Sequence, residues 1–174
     1  MISRYFDCLP FILAREGGLD DNKNDRGGRT AYGITQTTFN AWTHSVRDVW
    51  TITKDEVAAI YHAKYWDACQ CDKLPKGLDL CVFDSCVQHG EVHAIRFMQQ
   101  ALGVHDDGVF GPATLGELLA HIGAGKLPNL ITAYLANRQA FYAAIIAAHP
   151  EQAEFAHGWA NRLAALKSEI GVSP

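Results

Sequence analysis

Apolar residues recur at intervals of three and four along most of this chain, which predicts helices rather than strands. The first stripe predicts a helix over residues 3–15, with Phe6 on its inward face. Thr53 and Glu56 form a capping box, and the helix that it opens is expected to end near Trp66. The remaining stripes predict helices over residues 35–43, 78–87, 91–102, 112–122, 128–148 and 151–169.

One stretch, residues 16–35, has a different pattern from its helical neighbours. It reads EGGLDDNKNDRGGRTAYGIT and is too rich in glycine and aspartate for a helix. The Gly27-Gly28 pair predicts a tight turn, and the alternation of Thr30, Tyr32 and Ile34 is typical of a short strand. The sequence therefore predicts a mainly α fold with one small, irregular β-hairpin.

Composition and charge agree with a globular chain that buries a real core. The 174 residues are 48% hydrophobic and 20% charged, which suits one domain, or one domain with a small lobe. The net charge is -4, the isoelectric point is about 6.0, and the basic residues form no run. Nucleic acid is therefore not expected as a partner.

Cysteine usage and the apolar segments bear on the cellular compartment. Five cysteines without framework spacing are typical of reduced thiols in a cytoplasmic protein. Residues 1–11 contain no apolar run of signal-peptide length, so we expect no export by the general route. The apolar segment 130–148 is interrupted by the polar residues 137–139, which favours a buried amphipathic helix over a membrane span.

The 16–35 stretch contains residues that suit the hydrolysis of a glycosidic bond. That reaction needs a carboxyl group to protonate the leaving oxygen and a carboxylate to stabilise the oxocarbenium ion. Glu16 lies where an apolar helix meets the loop, a place that suits the acid. Asp25 lies in a polar turn that suits an ionised partner, and Thr30 is positioned to hold water or sugar.

Other interpretations of the same residues remain open. A glutamate before two glycines and an aspartate in an Asn-Asp turn are common without any catalytic role. His62, Cys69 and Cys71 suggest a zinc site, but Cys-x-Cys lacks the usual two-residue gap. We expect no metal and no cofactor.

The motifs of this stretch resemble the signature of glycoside hydrolase family 108. They are Glu16-Gly-Gly, then Asp25-Arg-Gly-Gly, then Thr30-Ala-Tyr-Gly-Ile-Thr. The family consists of N-acetylmuramidases of phages and bacteria, and the resemblance assigns its catalytic acid to Glu16. The spacing of Glu16 and Asp25 also resembles that of tailed-phage lysozymes, although four residues rather than five separate Asp25 from Thr30 here.

The second half of the chain resembles the predicted peptidoglycan-binding region of the same family. The matching blocks, in order, are residues 61–66, 83–90, 99–103 and 107–114. Gln88 stands where the family usually has an asparagine. Aromatic rings stack on sugars, and polar groups of a cleft bind hydroxyls, so we predict substrate binding by Tyr32, Trp66, Asp84 and Gln88. The alternatives are a core position for Trp66 and a helix-bracing role for Asp84.

The resemblance implies a lysozyme-like fold in which the hairpin lobe carries the active site. Residues 1–174 are expected to form a single domain, with the catalytic glutamate and hairpin in residues 1–70 and a helical peptidoglycan-binding lobe in residues 71–174. The implied function is that of a monomeric muramidase that cleaves the β-1,4 bond between N-acetylmuramic acid and N-acetylglucosamine.

The cellular setting implied is a phage or prophage endolysin, made in the host cytoplasm and released to the wall through a holin lesion. A secreted bacterial effector is the other origin considered. Rival functions are a lytic transglycosylase, a non-catalytic wall-binding protein and a zinc-dependent amidase. The absence of an evident Ser/His/Asp or Cys/His arrangement argues against an amidase or peptidase.

Overall fold

The computed structural model describes residues 3–20 and 29–172, so Asp25 and the predicted Gly27-Gly28 turn lie outside the described residues. The mainly α, lysozyme-like class predicted from the sequence is confirmed. The chain divides into two compact units, Met1–Asp67 and Ala68–Pro174. The helices are α1 (Tyr5–Leu13), α2 (Gln36–Thr43), α3 (Lys54–Tyr61), α4 (Leu78–Leu102), α5 (Pro112–Gly123), α6 (Leu127–Ala148) and α7 (Ala156–Ile170).

The first unit contains a small antiparallel sheet of three strands in the order β1 (Leu19–Asp20), β2 (Thr30–Ala31) and β3 (Ile34–Thr35). Tyr32 and Gly33 form the connection between β2 and β3, with φ angles of 52° and 72°. Two consecutive positive φ values define the type I′ turn that a tight hairpin favours. The predicted hairpin is present, but the prediction of one alternating strand through Tyr32 is wrong, because Tyr32 lies in the turn.

Helix α3 begins as the sequence predicts, with the capping box between Thr53 and Glu56 complete in both directions. Its continuation, His62–Trp66, is a π-helical turn rather than α-helix. Such turns shift the helical register and are frequent near functional sites. Tyr61 and Trp66, one at each end of this change in register, are both 1% exposed and form part of the core of the first unit.

The core of the first unit also corrects one predicted orientation. Tyr5 and Ile12 of α1 and Phe39 of α2 are buried, at 1% exposure or less. Phe6, which the apolar stripe placed inward, is 72% exposed. The reason is that Tyr5 takes the inward position instead, and its ring contacts Trp66 edge-on with ring centroids 5.6 Å apart.

The second unit is built around α4, which pairs closely with α6. Gly90 has φ 80° and ψ 166°, a conformation essentially restricted to glycine, and it kinks α4 in the middle. The predicted boundary between helices 78–87 and 91–102 coincides with this kink. The last predicted helix starts later than expected, since residues 150–155 form a 3₁₀ turn before α7, and Phe155 is 48% exposed.

The loop between α4 and α5 is organised by one buried side chain, Gln99, which is 1% exposed. Its amide nitrogen donates to Asp107 Oδ1 at 2.8 Å and to Thr114 Oγ1 at 3.1 Å, and its oxygen accepts from Gly108 N at 2.8 Å. Two of the sequence blocks named above, residues 99–103 and 107–114, are therefore one structural feature.

No helix within residues 3–20 and 29–172 is both long and apolar enough to cross a membrane. Cys8 in the first unit and the four cysteines of the second are free thiols, and all five are buried.

Candidate functional site

Glu16 lies just past the end of α1, at the point where the chain turns toward the sheet. The helix ends at Leu13, and Gly17, with φ +75°, supplies the left-handed conformation that redirects the backbone. The neighbouring Arg15 donates to the carbonyl of Phe11 at 2.8 Å, and its guanidinium lies over the Phe11 ring. The Glu16 side chain is half-buried, so it is partly accessible to solvent.

The hairpin turn brings Gly33 against the Glu16 side chain. A Cβ atom placed on Gly33 would lie 3.3 Å from Glu16 Oε2 and 3.1 Å from the hydroxyl oxygen of Tyr61. Both contacts are tighter than ordinary van der Waals distances. Glycine is therefore favoured here for two reasons, the positive φ and the space that the carboxylate and the phenol occupy.

Tyr61 holds this turn in place. Its hydroxyl donates to the carbonyl oxygen of Tyr32 at 2.7 Å, and the Tyr32 N–H donates to the carbonyl of Gly18 at 3.1 Å. The tip of the hairpin is thus tied to α3 on one side and to the segment after Glu16 on the other. The sequence analysis included Tyr61 only within the matching block 61–66 and did not single out Gly33 for a site role. The signal for Gly33 was the Tyr-Gly pair between two short apolar–polar strands.

Thr30 lies in β2, paired with Asp20 and Thr35 across the sheet. Its carbonyl oxygen accepts from Trp50 Nε1 at 3.3 Å, and its side chain is half-buried. Tyr32 is also half-buried. The predicted roles of Thr30 in holding water and of Tyr32 in binding sugar stay predictions, as does the role of Asp25.

Trp66 is a core residue of the first unit in this structure, with 1% of its surface exposed. Its ring packs against Tyr5, whose buried hydroxyl donates to the carbonyl of Ala58. Burial raises the pKa of Tyr5 well above its usual value, so this phenol keeps its proton. The core alternative for Trp66 fits this placement, and contact with a sugar stays a prediction that would require the ring to be uncovered.

Asp84 lies in the second unit and is completely buried. Its carboxylate lies 2.7 Å from Arg138 Nη1 and 2.8 Å from Arg162 Nη2, so one carboxylate joins α4 to α6 and α7. Burial alone would lower the pKa of Arg138, but the Asp84 charge, its hydrogen bond and the nearby Tyr142 and Tyr134 together outweigh burial and raise that pKa. This geometry agrees with the bracing role for Asp84, and its predicted sugar contact stays a prediction.

Gln88, one turn further along α4, belongs to the same polar network. Its amide oxygen accepts from Arg138 Nη2 at 2.7 Å and from the Tyr142 hydroxyl at 2.8 Å. His89 Nε2 lies 3.0 Å from the same hydroxyl. Burial, followed by the nearby Arg138 charge, lowers the pKa of His89 to about 4. Gln88 thus contacts protein groups in this structure, and its substrate-binding role stays a prediction.

Comparison with known proteins finds two family models that match successive parts of the chain. Residues 9–90 match the model of glycosyl hydrolase 108, and residues 93–164 match a predicted peptidoglycan domain. The structure of SagA from Brucella abortus is similar, with 28% sequence identity, a TM-score of 0.78, and coverage of 95% of this chain and 92% of that chain. No curated protein matches the sequence.

The fold and these matches define a glycoside hydrolase that acts on peptidoglycan. The match over residues 9–90 confirms the resemblance to glycoside hydrolase family 108 that the motifs around Glu16 indicated. The first match ends at Gly90, the residue that kinks α4, so the sequence boundary between the two family regions coincides with a structural one.

Proposed function

We propose that this protein is an N-acetylmuramidase that hydrolyses the β-1,4 bond between N-acetylmuramic acid and N-acetylglucosamine, with Glu16 as the proton donor. The observation that carries the proposal is the position of the Glu16 carboxylate, half-buried against Gly33 within the family 108 region. A carboxyl group in such a place is shielded on one side by protein and open to substrate on the other, which suits a general acid.

In the proposed mechanism, Glu16 gives its proton to the glycosidic oxygen as the bond breaks. Asp25 stays ionised and stabilises the positive charge that develops on the sugar, or orients the attacking water together with Thr30. The tip of the hairpin is held by the hydrogen bond from Tyr61 to the Tyr32 carbonyl, and its Gly33 lies against the Glu16 side chain. The reaction needs no metal or cofactor.

The decisive experiment is digestion of purified sacculi, followed by identification of the products by mass spectrometry. We expect fragments ending in reducing N-acetylmuramic acid, and we expect Glu16→Gln to lower the rate roughly 100- to 10,000-fold, as loss of a general acid does. Glu56→Gln is the matched control: glutamine also completes a capping box, so this variant should keep both the fold and the activity.

Each rival function has its own outcome in the same experiment. Fragments with 1,6-anhydro ends would identify a lytic transglycosylase. Cleavage between the glycan and its peptide, abolished by a chelator, would identify a zinc-dependent amidase. Binding to sacculi without any cleavage would identify a wall-binding protein.

We also propose that the enzyme acts as a monomeric phage or prophage endolysin, made in the host cytoplasm. Five buried free thiols suit a protein made in a reducing compartment. Expression in the cytoplasm of a bacterium should leave cells intact until the inner membrane is permeabilised, for example with chloroform, and lysis should follow at once. Lysis without permeabilisation would contradict holin-dependent release.

A further inference from the structure

The second unit contains a groove between α6 and α7 that none of the predicted site residues line. Its volume is about 770 Å³, within the size range of small-ligand sites. We call it the α6–α7 groove, and its main lining residues are Tyr142, Ile146, Trp159, Ala160, Ala164 and Lys167. Because alanine side chains are short, they leave space in the groove for a flat ligand.

Two aromatic rings form one side of the groove. The rings of Tyr142 and Trp159 are stacked nearly parallel, with an angle of 10° between their planes and 4.7 Å between their centroids. Tyr142 is buried and Trp159 is half-buried, so the indole is the ring that a ligand reaches. An aromatic face of this kind is suited to the apolar face of a sugar ring.

The buried polar network of the second unit holds this aromatic pair from beneath. Arg138 Nε donates to the Tyr142 hydroxyl at 3.0 Å, and that hydroxyl donates to Gln88 at 2.8 Å. Arg138 is in turn paired with Asp84. Asp84 and Gln88 are therefore linked to Tyr142 by hydrogen bonds and the Arg138 ion pair, and the Tyr142 ring stacks on Trp159.

The polar groups of the groove indicate which ligand it takes. Gln139 and Ser168 contribute hydrogen-bonding groups and Lys167 contributes a positive charge, while no acidic residue lines the groove within the described part of the chain. A sugar ring with a nearby carboxylate can bind to these hydrogen-bonding groups and to the Lys167 charge. Muramic acid in peptidoglycan has this chemistry, because its lactyl group joins the sugar ring to a stem peptide that carries carboxylates. Most of the lining residues also fall within the region matched to a predicted peptidoglycan domain.

We propose that the α6–α7 groove binds a peptidoglycan strand, with a sugar ring stacked on Trp159 and a muropeptide carboxylate at Lys167. This site is separate from Glu16 in the chain and would hold the enzyme on its polymeric substrate between cleavage events. The proposal rests on peptidoglycan as the substrate and not on which bond is cut.

The test is a binding assay on purified sacculi, carried out in a Glu16→Gln background so that the polymer is not digested. We expect Trp159→Ala to weaken binding about tenfold, because the stacking surface is lost. Ala164→Glu should weaken it by a similar factor: residue 164 is exposed, so the substitution removes no core contact, yet it places a bulky negative charge in the groove.

The matched control is Asn161→Glu, which adds the same charge to an exposed position of α7 that does not line the groove. It should bind sacculi as the parent does. Circular dichroism and melting curves establish whether each variant is folded. If Trp159→Ala does not fold, the binding of Ala164→Glu alone tests the proposal. Equal binding by Ala164→Glu and Asn161→Glu would overturn the proposal. So would a change from dimer to monomer in Ala164→Glu with binding intact, since the groove would then be an interface between copies.

Discussion

At the scale of single residues, Gly33 is the position on which the geometry around Glu16 depends most. We predict that Gly33→Ala lowers the rate of peptidoglycan hydrolysis roughly five- to tenfold, because a methyl group must push the Glu16 carboxylate or the Tyr61 hydroxyl away by a few tenths of an ångström. It should also cost about 1 kcal/mol of unfolding free energy for the left-handed backbone. Turnover of sacculi and chemical denaturation measure the two effects.

Gly103→Ala separates backbone strain from crowding. Gly103 has the same φ of +72°, but a Cβ there would meet nothing within 4 Å. It should therefore lose a similar amount of stability and keep full activity. If Gly33→Ala also kept full activity, the close packing of Gly33 on Glu16 would have no catalytic consequence.

Tyr61 is the residue that fixes the turn, and removal of its hydroxyl isolates that role. Tyr61→Phe should lose about 1 kcal/mol of stability, the net value of one hydrogen bond, and should lower kcat because the turn beside Glu16 is no longer tied to α3. Tyr5→Phe is the control, since Tyr5 also donates its hydroxyl to a backbone carbonyl, that of Ala58. Comparable losses of activity in the two variants would indicate a general effect of destabilisation.

At the scale of elements, a single buried carboxylate joins three helices of the second unit. We predict that Asp84→Asn lowers the free energy of unfolding by about 3–5 kcal/mol, because it leaves the fully buried Arg138 without its counter-charge. The measurement is urea denaturation followed by circular dichroism.

Asp48→Asn provides the comparison for this prediction. The Asp48 carboxylate lies at the same 2.7 Å from Arg29, but that pair is exposed, and asparagine still caps the 3₁₀ turn that follows. Its cost should be less than about 1 kcal/mol. Similar costs at the two positions would show that burial does not determine the strength of the Asp84 ion pair.

A comparison of the predicted and observed helices shows which of their features can be predicted from the sequence. Local chemistry predicted the Thr53–Glu56 capping box, the helix that starts at Pro112 and the break at Gly90, because each depends on residues that are neighbours in the chain. The π turn at 62–66 and the 3₁₀ turn at 150–155 were not predicted. Both keep a helical pattern of apolar residues and differ only in hydrogen-bond register.

At the scale of the whole molecule, the family and the mainly α fold could be predicted from the sequence, whereas the surroundings of the candidate acid could not. Glu16 was identified from its place between an apolar helix and glycines. Gly33 lies against both the Glu16 side chain and the Tyr61 hydroxyl, so residues far apart in the chain meet at this turn, and no local pattern encodes such a meeting. Asp84 and Gln88 were identified as important, but their partner Arg138 lies about fifty positions further on, so their network was not foreseen.

The free energy of unfolding of the whole chain should depend on pH through the titration of His89. Its pKa is lowered from 6.5 to about 4 by burial and then by Arg138, with smaller contributions from His93 and Arg162, while Asp84 opposes the shift. Well above pH 6.5 the imidazole is neutral in both the folded and the unfolded state, and it contributes nothing to the pH dependence. As the pH falls from 6.5 to 4, the unfolded chain binds a proton that the folded protein does not, so the free energy of unfolding falls, by at most about 3 kcal/mol.

His89→Gln removes this titration, and its free energy of unfolding should fall less steeply than that of the parent between pH 6.5 and 4. Denaturant melts at half-unit intervals of pH measure the difference in slope, which is independent of any constant cost of losing the contact with Tyr142. Parallel curves for the parent and His89→Gln would mean that His89 is protonated as easily in the folded protein as in the unfolded chain.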